Sequence, residues 1–126
     1  IIRKKWVVLQ PEEWVRQHLV MYLHNELGYP LGLIAIEKGV KVHSLSRRVD
    51  ILLYNNSGEP MVLIECKAPE IKINQNVFDQ VARYNIPLKV PYLVVSNGLE
   101  NYCCSIDFVE EQYSFIKNIP AFNELP

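Results

Sequence analysis

The chain has 126 residues and a mass of 14.7 kDa, enough for one domain with a hydrophobic core and too few for two. Hydrophobic residues make up 49% of the sequence and charged residues 21%, which excludes a disordered tail, a collagen-like repeat and a coiled coil. Its 13 basic and 14 acidic residues give a net charge of −1, which argues against a basic coat for nucleic acid over the whole surface.

Cellular location can be inferred from what the sequence lacks. The longest apolar runs, such as Leu33 to Ile36, are far shorter than the roughly 20 residues of a membrane span. No signal-peptide pattern follows Ile1, and Cys66, Cys103 and Cys104 lack the spacing of a disulfide framework or a zinc site. We therefore expect one domain, residues 1–126, that is a trimmed piece of a cytoplasmic protein with reduced thiols and no membrane partner.

The first predicted element is a helix that begins at Pro11 and ends before Gly28. Proline suits the first helical position, because its missing N–H would have no partner there. Apolar residues recur at helical spacing and predict one buried face, consisting of Val15, Leu19, Tyr22, Leu23 and Leu27. At about 100° per residue, Glu12 and Glu26 fall within the same stripe. A carboxylate on a buried face needs a reason.

Three strands are predicted after this helix. The first is Leu33 to Glu37, followed by a polar connection from Lys38 to Arg47. Val49 to Tyr54 and Met61 to Lys67 form a hairpin, since both are rich in strand-forming residues and a turn sequence separates them. Both hairpin strands are apolar on both faces, so they should lie inside a sheet that helices cover on each side.

The remaining elements complete the sheet. A second helix, capped by its first residue, is expected over Asn74 to Asn85, and a third buried strand over Pro91 to Ser96. Tyr102 to Val109 and Tyr113 to Ile119 are weaker strands or a short helix. This order predicts an α/β (α+β) sandwich with a mixed central sheet and flanking helices.

Three charged residues come together in the predicted hairpin. If Asn55 and Pro60 flank the turn, Asp50 lies directly across from Glu65, with about 5 Å between their Cβ atoms. Strand alternation places Lys67 on the same face as Glu65. Opposed carboxylates destabilise a strand pair and raise one pKa unless a positive charge sits between them.

A divalent cation is the simplest source of that positive charge. The carboxylates of Asp50 and Glu65 and the backbone carbonyl of Cys66 would form a hard oxygen site of the kind that Mg²⁺ or Mn²⁺ occupies. A lysine beside such an ion can orient or deprotonate a water and stabilise a pentacoordinate phosphorus. The pattern thus indicates metal-assisted hydrolysis of a phosphodiester, and its alternative is a structural ion pair of Lys67 with either carboxylate.

Asp50 followed by Glu65-Cys66-Lys67 resembles the D…(D/E)-x-K signature of the PD-(D/E)xK nuclease superfamily, which has the restriction-endonuclease-like fold. Val49 stands where the signature has proline. Over about residues 11 to 98, the order of motifs is similar to that in the N-terminal nuclease domain of type I restriction enzyme R subunits. These motifs are Glu12…Arg16, Arg47-Arg48-Val49-Asp50-Ile51, Ile64 to Ala68, Gln80…Tyr84-Asn85 and Pro91 to Gly98.

The resemblance implies a role for each matching acidic and basic residue. Asp50 and Glu65 would be metal ligands, together with the Cys66 carbonyl. Lys67 would be the catalytic base or the transition-state stabiliser. Glu12 would hold a metal-bound water or a second ion, with helix capping as its alternative.

Further residues would contact the substrate. Gln80 and Tyr84, one helical turn apart, resemble the Q-x-x-x-Y element of several superfamily branches and would orient the lysine or contact phosphate. Helix packing is their alternative role. The stretch from Lys38 to Lys89 has eight basic and five acidic residues. The candidate phosphate contacts are Arg47, Arg48, Lys72 and Arg83. They would bind the backbone without sequence preference, and their alternative is solvated surface.

The leading hypothesis is a Mg²⁺- or Mn²⁺-dependent deoxyribonuclease in restriction or repair, with DNA and a helicase motor or other restriction subunits as partners. The second is a non-catalytic module that keeps the fold and binds nucleic acid or assembles a complex. The third is an unrelated α/β protein with a structural ion-pair cluster. A lone active site cuts one strand, so duplex cleavage would need a homodimer or repeated nicking. Strandedness and DNA versus RNA stay open.

Overall fold

The structure, a computed structural model, describes the backbone of residues 11–42 and 45–126 and their side chains, except those of 38, 40–42, 45–47 and 84. Two α-helices lie within these ranges, α1 (Pro11–Asn25) and α2 (Gln75–Asn85). The strands are β1 (Ile34–Val42), β2 (Leu45–Tyr54), β3 (Pro60–Cys66), β4 (Tyr92–Ser96), β5 (Asn101–Asp107) and β6 (Gln112–Ile116). Short 3-10 helices cover Leu31–Leu33, Ile86–Leu88 and Phe122–Glu124. No helix in the described ranges is long and apolar enough to cross a membrane.

The six strands form one sheet in the order β1-β2-β3-β4-β5-β6. Neighbours pair antiparallel except β3 and β4, which are parallel. A parallel pair needs a long connection, and here that connection contains α2. The predicted mixed sheet is confirmed, and the C-terminal region, for which a short helix was the alternative, forms the antiparallel pair of β5 and β6.

Helix α1 covers one face of the sheet. Its buried residues are Val15, Leu19 and Leu23, which follow each other at intervals of four and pack on β2, β3 and β4. The stripe predicted from sequence was too wide: Tyr22 is 44% exposed, and Glu12 and Glu26 are exposed as well. A helix lying on a flat sheet contacts it along a narrow line, so these flanking positions reach solvent.

Helix α2 covers the opposite face. It begins where predicted, because the side chain of Asn74 accepts a hydrogen bond of 2.9 Å from the backbone N–H of Val77. Phe78, Val81 and Ala82 pack against the sheet in a second core cluster. Both faces of the central strands are therefore buried, as their apolar sequences predicted.

The hairpin of β2 and β3 has the predicted register from Leu53 and Val62 onward, but Pro60 pairs with Tyr54 and not with Asn55, because the register shifts between Leu53 and Tyr54. Ile51 pairs with Ile64, and Leu52 with Leu63. The side-chain oxygen of Asn55 organises the turn by accepting hydrogen bonds of 2.9 Å from two backbone N–H groups further along the chain. Asp50 and Glu65 are the next residues beyond the pair of Ile51 and Ile64, in the opposed positions expected from the sequence.

The polar connection predicted for Lys38 to Arg47 was wrong. Strand β1 continues to Val42 and β2 begins at Leu45, so the two strands remain paired from Lys38 and Val49 onward. Strand β1 is at the edge of the sheet, with a neighbour on one side only. An edge strand tolerates polar and charged residues that a central strand would not, which explains why its sequence reads as a loop.

Candidate active site

The candidate site lies where β2 and β3 stop pairing. One carboxylate oxygen of Asp50, Oδ2, accepts a hydrogen bond of 2.7 Å from the backbone N–H of Cys66. On the other side of β2, Ile36 of β1 pairs with Ile51 and Lys38 pairs with Val49. Glu37 and Asp50, which lie between these pairs, are not paired with each other. At this irregular position, the Asp50 side chain accepts the Cys66 N–H that a backbone carbonyl would accept in a regular strand pair.

Lys67 follows directly after β3. Its ammonium nitrogen lies 3.7 Å from Oε2 of Glu65, and the two side chains are 32% and 27% exposed. The backbone N–H of Lys67 donates a hydrogen bond of 2.7 Å to the carbonyl of Ser96 at the end of β4. The parallel strand pair therefore holds Lys67 on the same side of the chain as Glu65, as strand alternation predicted.

The electrostatics of the site indicate an excess of negative charge. The pKa of Glu65 is raised from 4.5 to about 7, first by burial and then by the neighbouring Asp50 carboxylate. Lys67 offsets this only in part, and Glu12 on α1 adds a smaller effect in the same direction. Burial is also the main reason why the pKa of the Cys66 thiol is raised to about 12, so the thiol stays neutral.

The donors present fit a hard divalent cation. One oxygen of Asp50 accepts a hydrogen bond from the Cys66 N–H and Glu65 pairs with Lys67, and neither carboxylate makes another hydrogen bond or ion pair within the described residues. Carboxylate oxygens in a partly open site suit Mg²⁺, which keeps several of its waters. The described residues contain no group of three His, Cys, Asp or Glu side chains that could hold a metal ion. Glu12 therefore does not complete such a group, and its role and that of the Cys66 carbonyl stay predictions.

A cleft of about 380 Å³ opens beside these carboxylates, between the sheet and α2. It brings together four of the residues singled out from sequence, Arg48, Glu65, Lys67 and Gln80. The structure adds Asn85, the last residue of α2, which is only 4% exposed. Its signal in the sequence was a polar residue one helical turn after Val81 on the buried face.

Other predicted contact residues lie elsewhere or outside the described side chains. Lys72 is exposed in the loop after β3 and does not line the cleft. Arg83 lines a different groove of about 660 Å³ between α2 and β6, where Asp79 accepts a short hydrogen bond from Tyr113. That larger groove is lined by two acidic residues, Asp79 and Glu111, but by no described lysine. The side chains of Arg47 and Tyr84 are among those not described.

Arg16 on α1 was quoted in the sequence pattern, but its structural role was missed. Its guanidinium lies 3.4 Å from Glu37 on β1 and 3.8 Å from Glu13 on its own helix, and it is 14% exposed. Glu37 stands opposite Asp50 with a positive φ of 54°, which is unusual for a residue other than glycine. The ion pair therefore joins α1 to the sheet next to Asp50.

Two comparisons relate the chain to known proteins. The family model for the type I restriction enzyme R protein N terminus matches residues 11–120. A solved fragment, described as an HsdR subunit of a type I restriction enzyme from Vibrio vulnificus YJ016, has a similar fold with a TM-score of 0.62 and 21% identity. The similarity covers 93% of this chain and 24% of that one, so this chain spans about a quarter of that chain's length. No curated protein matches the chain.

The family match runs past Gly98, where the motifs recognised in the sequence end, and includes β5 and β6. It also contains the opposed carboxylates, Lys67 and the whole cleft. The chain therefore belongs to the family of type I restriction enzyme R protein N-terminal domains.

Proposed function

We propose that this domain hydrolyses DNA phosphodiester bonds with the help of Mg²⁺ or Mn²⁺, as a nuclease of the PD-(D/E)xK type. The observation that carries the proposal is the opposition of Asp50 and Glu65 at the end of a strand pair, with Lys67 beside them. Such an arrangement destabilises the fold when no cation is bound, because burial and mutual repulsion disfavour the charged form of Glu65. A purely structural role offers no reason to keep it.

Each residue has a role that follows from its position. Asp50 and Glu65 would hold the cation, while the Cys66 N–H keeps the Asp50 carboxylate in place. When bound there, the cation supplies Lewis-acid polarisation of a phosphate oxygen and a more acidic water. Lys67, directly after β3, lines the cleft, where its ammonium can stabilise charge that develops on the phosphate.

DNA would enter along the cleft between the sheet and α2. Arg48 is exposed on one side of the cleft and Gln80 on the other, so both can reach phosphate oxygens. These contacts read the backbone and not the bases, so we expect little sequence preference from this domain. The chain spans about a quarter of its solved relative, and a motor or other restriction subunits would act together with it.

A second candidate is a non-catalytic module that binds DNA or assembles the larger enzyme. The observation that favours it is that the described residues offer two carboxylates and no group of three metal-binding side chains. On this alternative, DNA binding survives the loss of Lys67 and no cleavage is seen with any cation.

The decisive experiment measures cleavage of supercoiled, linear duplex and single-stranded DNA, and of RNA, with Mg²⁺, Mn²⁺ or EDTA. Wild type is compared with Lys67→Met and with the matched control Lys117→Met, which removes an exposed lysine far along the chain. We expect cation-dependent cleavage by wild type and the control, and none by Lys67→Met. Equal cleavage by all three proteins, or by none, would contradict the nuclease proposal for the isolated domain.

A further inference from the structure

Asn85 is a buried polar residue in the wall of the candidate active site. It is the last residue of α2, is 4% exposed, and lines the cleft together with Lys67 and Glu65. Its side-chain nitrogen Nδ2 donates a hydrogen bond of 2.8 Å to the backbone carbonyl of Val81, one turn earlier. A buried amide that uses its donor on the helix itself has its acceptor free for another group.

The orientation of this amide is determined by its partner. A backbone carbonyl can only accept a hydrogen bond, so the NH₂ group of Asn85 must face Val81 and Oδ1 must point the other way. Among the described residues, no buried side-chain nitrogen or oxygen lacks a partner. Oδ1 of Asn85 makes no hydrogen bond within that same part of the chain. Because Asn85 lines the cleft, we take Oδ1 to face it.

Oδ1 carries no hydrogen, so it can only accept a hydrogen bond and its partner must be a donor. Oδ1 cannot hydrogen-bond a phosphate oxygen, because both are acceptors, so Asn85 is unsuited to contact the DNA backbone. It needs a donor, and the described side-chain donors that line the cleft beside it are Lys67, Arg48 and Gln80. Arg48 and Gln80 are exposed and can bond to water, whereas Lys67 is partly buried.

Lys67 has few acceptors among the described residues. Its ammonium has three N–H donors, and its partner in that part of the chain is Glu65 at 3.7 Å, which is an ion pair but too long for a good hydrogen bond. Glu65 is in addition a proposed metal ligand, so its carboxylate would be shared. A second, neutral acceptor beside the ammonium would hold it in one place without adding negative charge.

We propose that Oδ1 of Asn85 accepts a hydrogen bond from the Lys67 ammonium and thereby positions Lys67 in the active site. Asn85 is then a positioning residue, since it acts through Lys67 and does not contact the substrate. The inference rests on the proposed nuclease function for its catalytic consequence, while the contact itself can be measured in the protein without substrate.

Two substitutions separate positioning from a structural role. Asn85→Ser keeps a donor for the Val81 carbonyl, because serine hydroxyls bond back to the preceding turn of a helix, but its side chain is too short to reach Lys67. Asn85→Asp keeps an acceptor for Lys67 and loses the donor to Val81. A positioning role predicts that the Asp variant still holds the Lys67 ammonium in place and the Ser variant does not, and a purely structural role predicts the reverse.

The first readout is the ¹⁵N-detected signal of the Lys67 ammonium in uniformly labelled protein, assigned by its loss in Lys67→Met. We expect a resolved, slowly exchanging signal in wild type and in Asn85→Asp, and a signal broadened by exchange in Asn85→Ser, with the signal of exposed Lys72 unchanged. An unresolved Lys67 signal in wild type, or a signal that Asn85→Ser leaves unaltered, would overturn the proposal.

The second readout is cleavage. We expect Asn85→Ser to lower kcat by about 10- to 100-fold with KM nearly unchanged, because a misplaced catalytic group weakens the transition state more than binding. If the wild-type protein has no nuclease activity, the proposed function is wrong. The Lys67 signal would still decide whether Asn85 holds the ammonium.

Discussion

Replacing Glu65 by glutamine should stabilise the metal-free protein, and the gain should depend on pH. The pKa of Glu65 is about 7 in the folded state against an ordinary value of 4.5. A raised pKa means that the protonated carboxyl favours folding: its contribution is complete below about pH 4.5 and is lost as the pH rises through about 7. A pKa shift of one unit corresponds to about 1.4 kcal/mol, so the raised pKa of Glu65 lowers the free energy of unfolding by about 3 kcal/mol above pH 8. Because the side chain is 27% exposed, solvent screening reduces the penalty to about 2 kcal/mol.

The assay is urea unfolding in EDTA at pH 4 and at pH 8.5. We expect Glu65→Gln to exceed wild type by about 2 kcal/mol in free energy of unfolding at pH 8.5 and to equal it at pH 4, since glutamine has the shape of glutamate without its charge. The matched control, Glu70→Gln, removes an exposed carboxylate and should follow wild type at both pH values. A Glu65→Gln protein that is no more stable than wild type at pH 8.5 would refute the view that Asp50 and Glu65 form a repulsive pair.

Three other predictions concern single residues. Lys67→Met should leave the midpoint of thermal unfolding within a few degrees of wild type, and a large decrease would support a structural ion pair instead. Arg48→Ala should weaken DNA binding about equally for all sequences and reduce the salt dependence by about one phosphate contact in fluorescence anisotropy titrations; a change that varies with sequence would mean base contacts. Tyr29→Phe should lower the free energy of unfolding in urea by about 1 to 2 kcal/mol, because Tyr29 is fully buried and its hydroxyl donates 2.8 Å to the carbonyl of Pro120; an unchanged value would mean that this bond is energetically neutral.

Much of the fold could be predicted because local signals agree with the tertiary structure. Asn74 caps α2 through its own side chain, and Asn55 organises the turn of the hairpin in which Asp50 lies opposite Glu65. The strands of that hairpin are apolar on both faces, which required helices on both sides of the sheet. Each of these features depends on residues that are close together along the chain.

Features that depend on distant neighbours were missed. The length of β1 could not be predicted, because its polar residues are tolerated only at an edge of the sheet, and the sequence does not say which strand lies there. The exposure of Glu12 depends on how narrow the contact of α1 with the sheet is. Asn85 reaches the cleft that contains Lys67 because α2 packs against the sheet, more than ten residues away along the chain.

The sequence by itself determined which elements form, the register of the central hairpin and the identity of the three charged residues at its end. It could do so because periodicity, capping and turn chemistry act over a few residues. The tertiary structure decided how deeply Glu65 is buried, which face of each helix reaches solvent and which side chains from α2 complete the cleft. Burial and the pKa of a carboxylate are set by everything that packs around it, and most of those neighbours come from other parts of the chain.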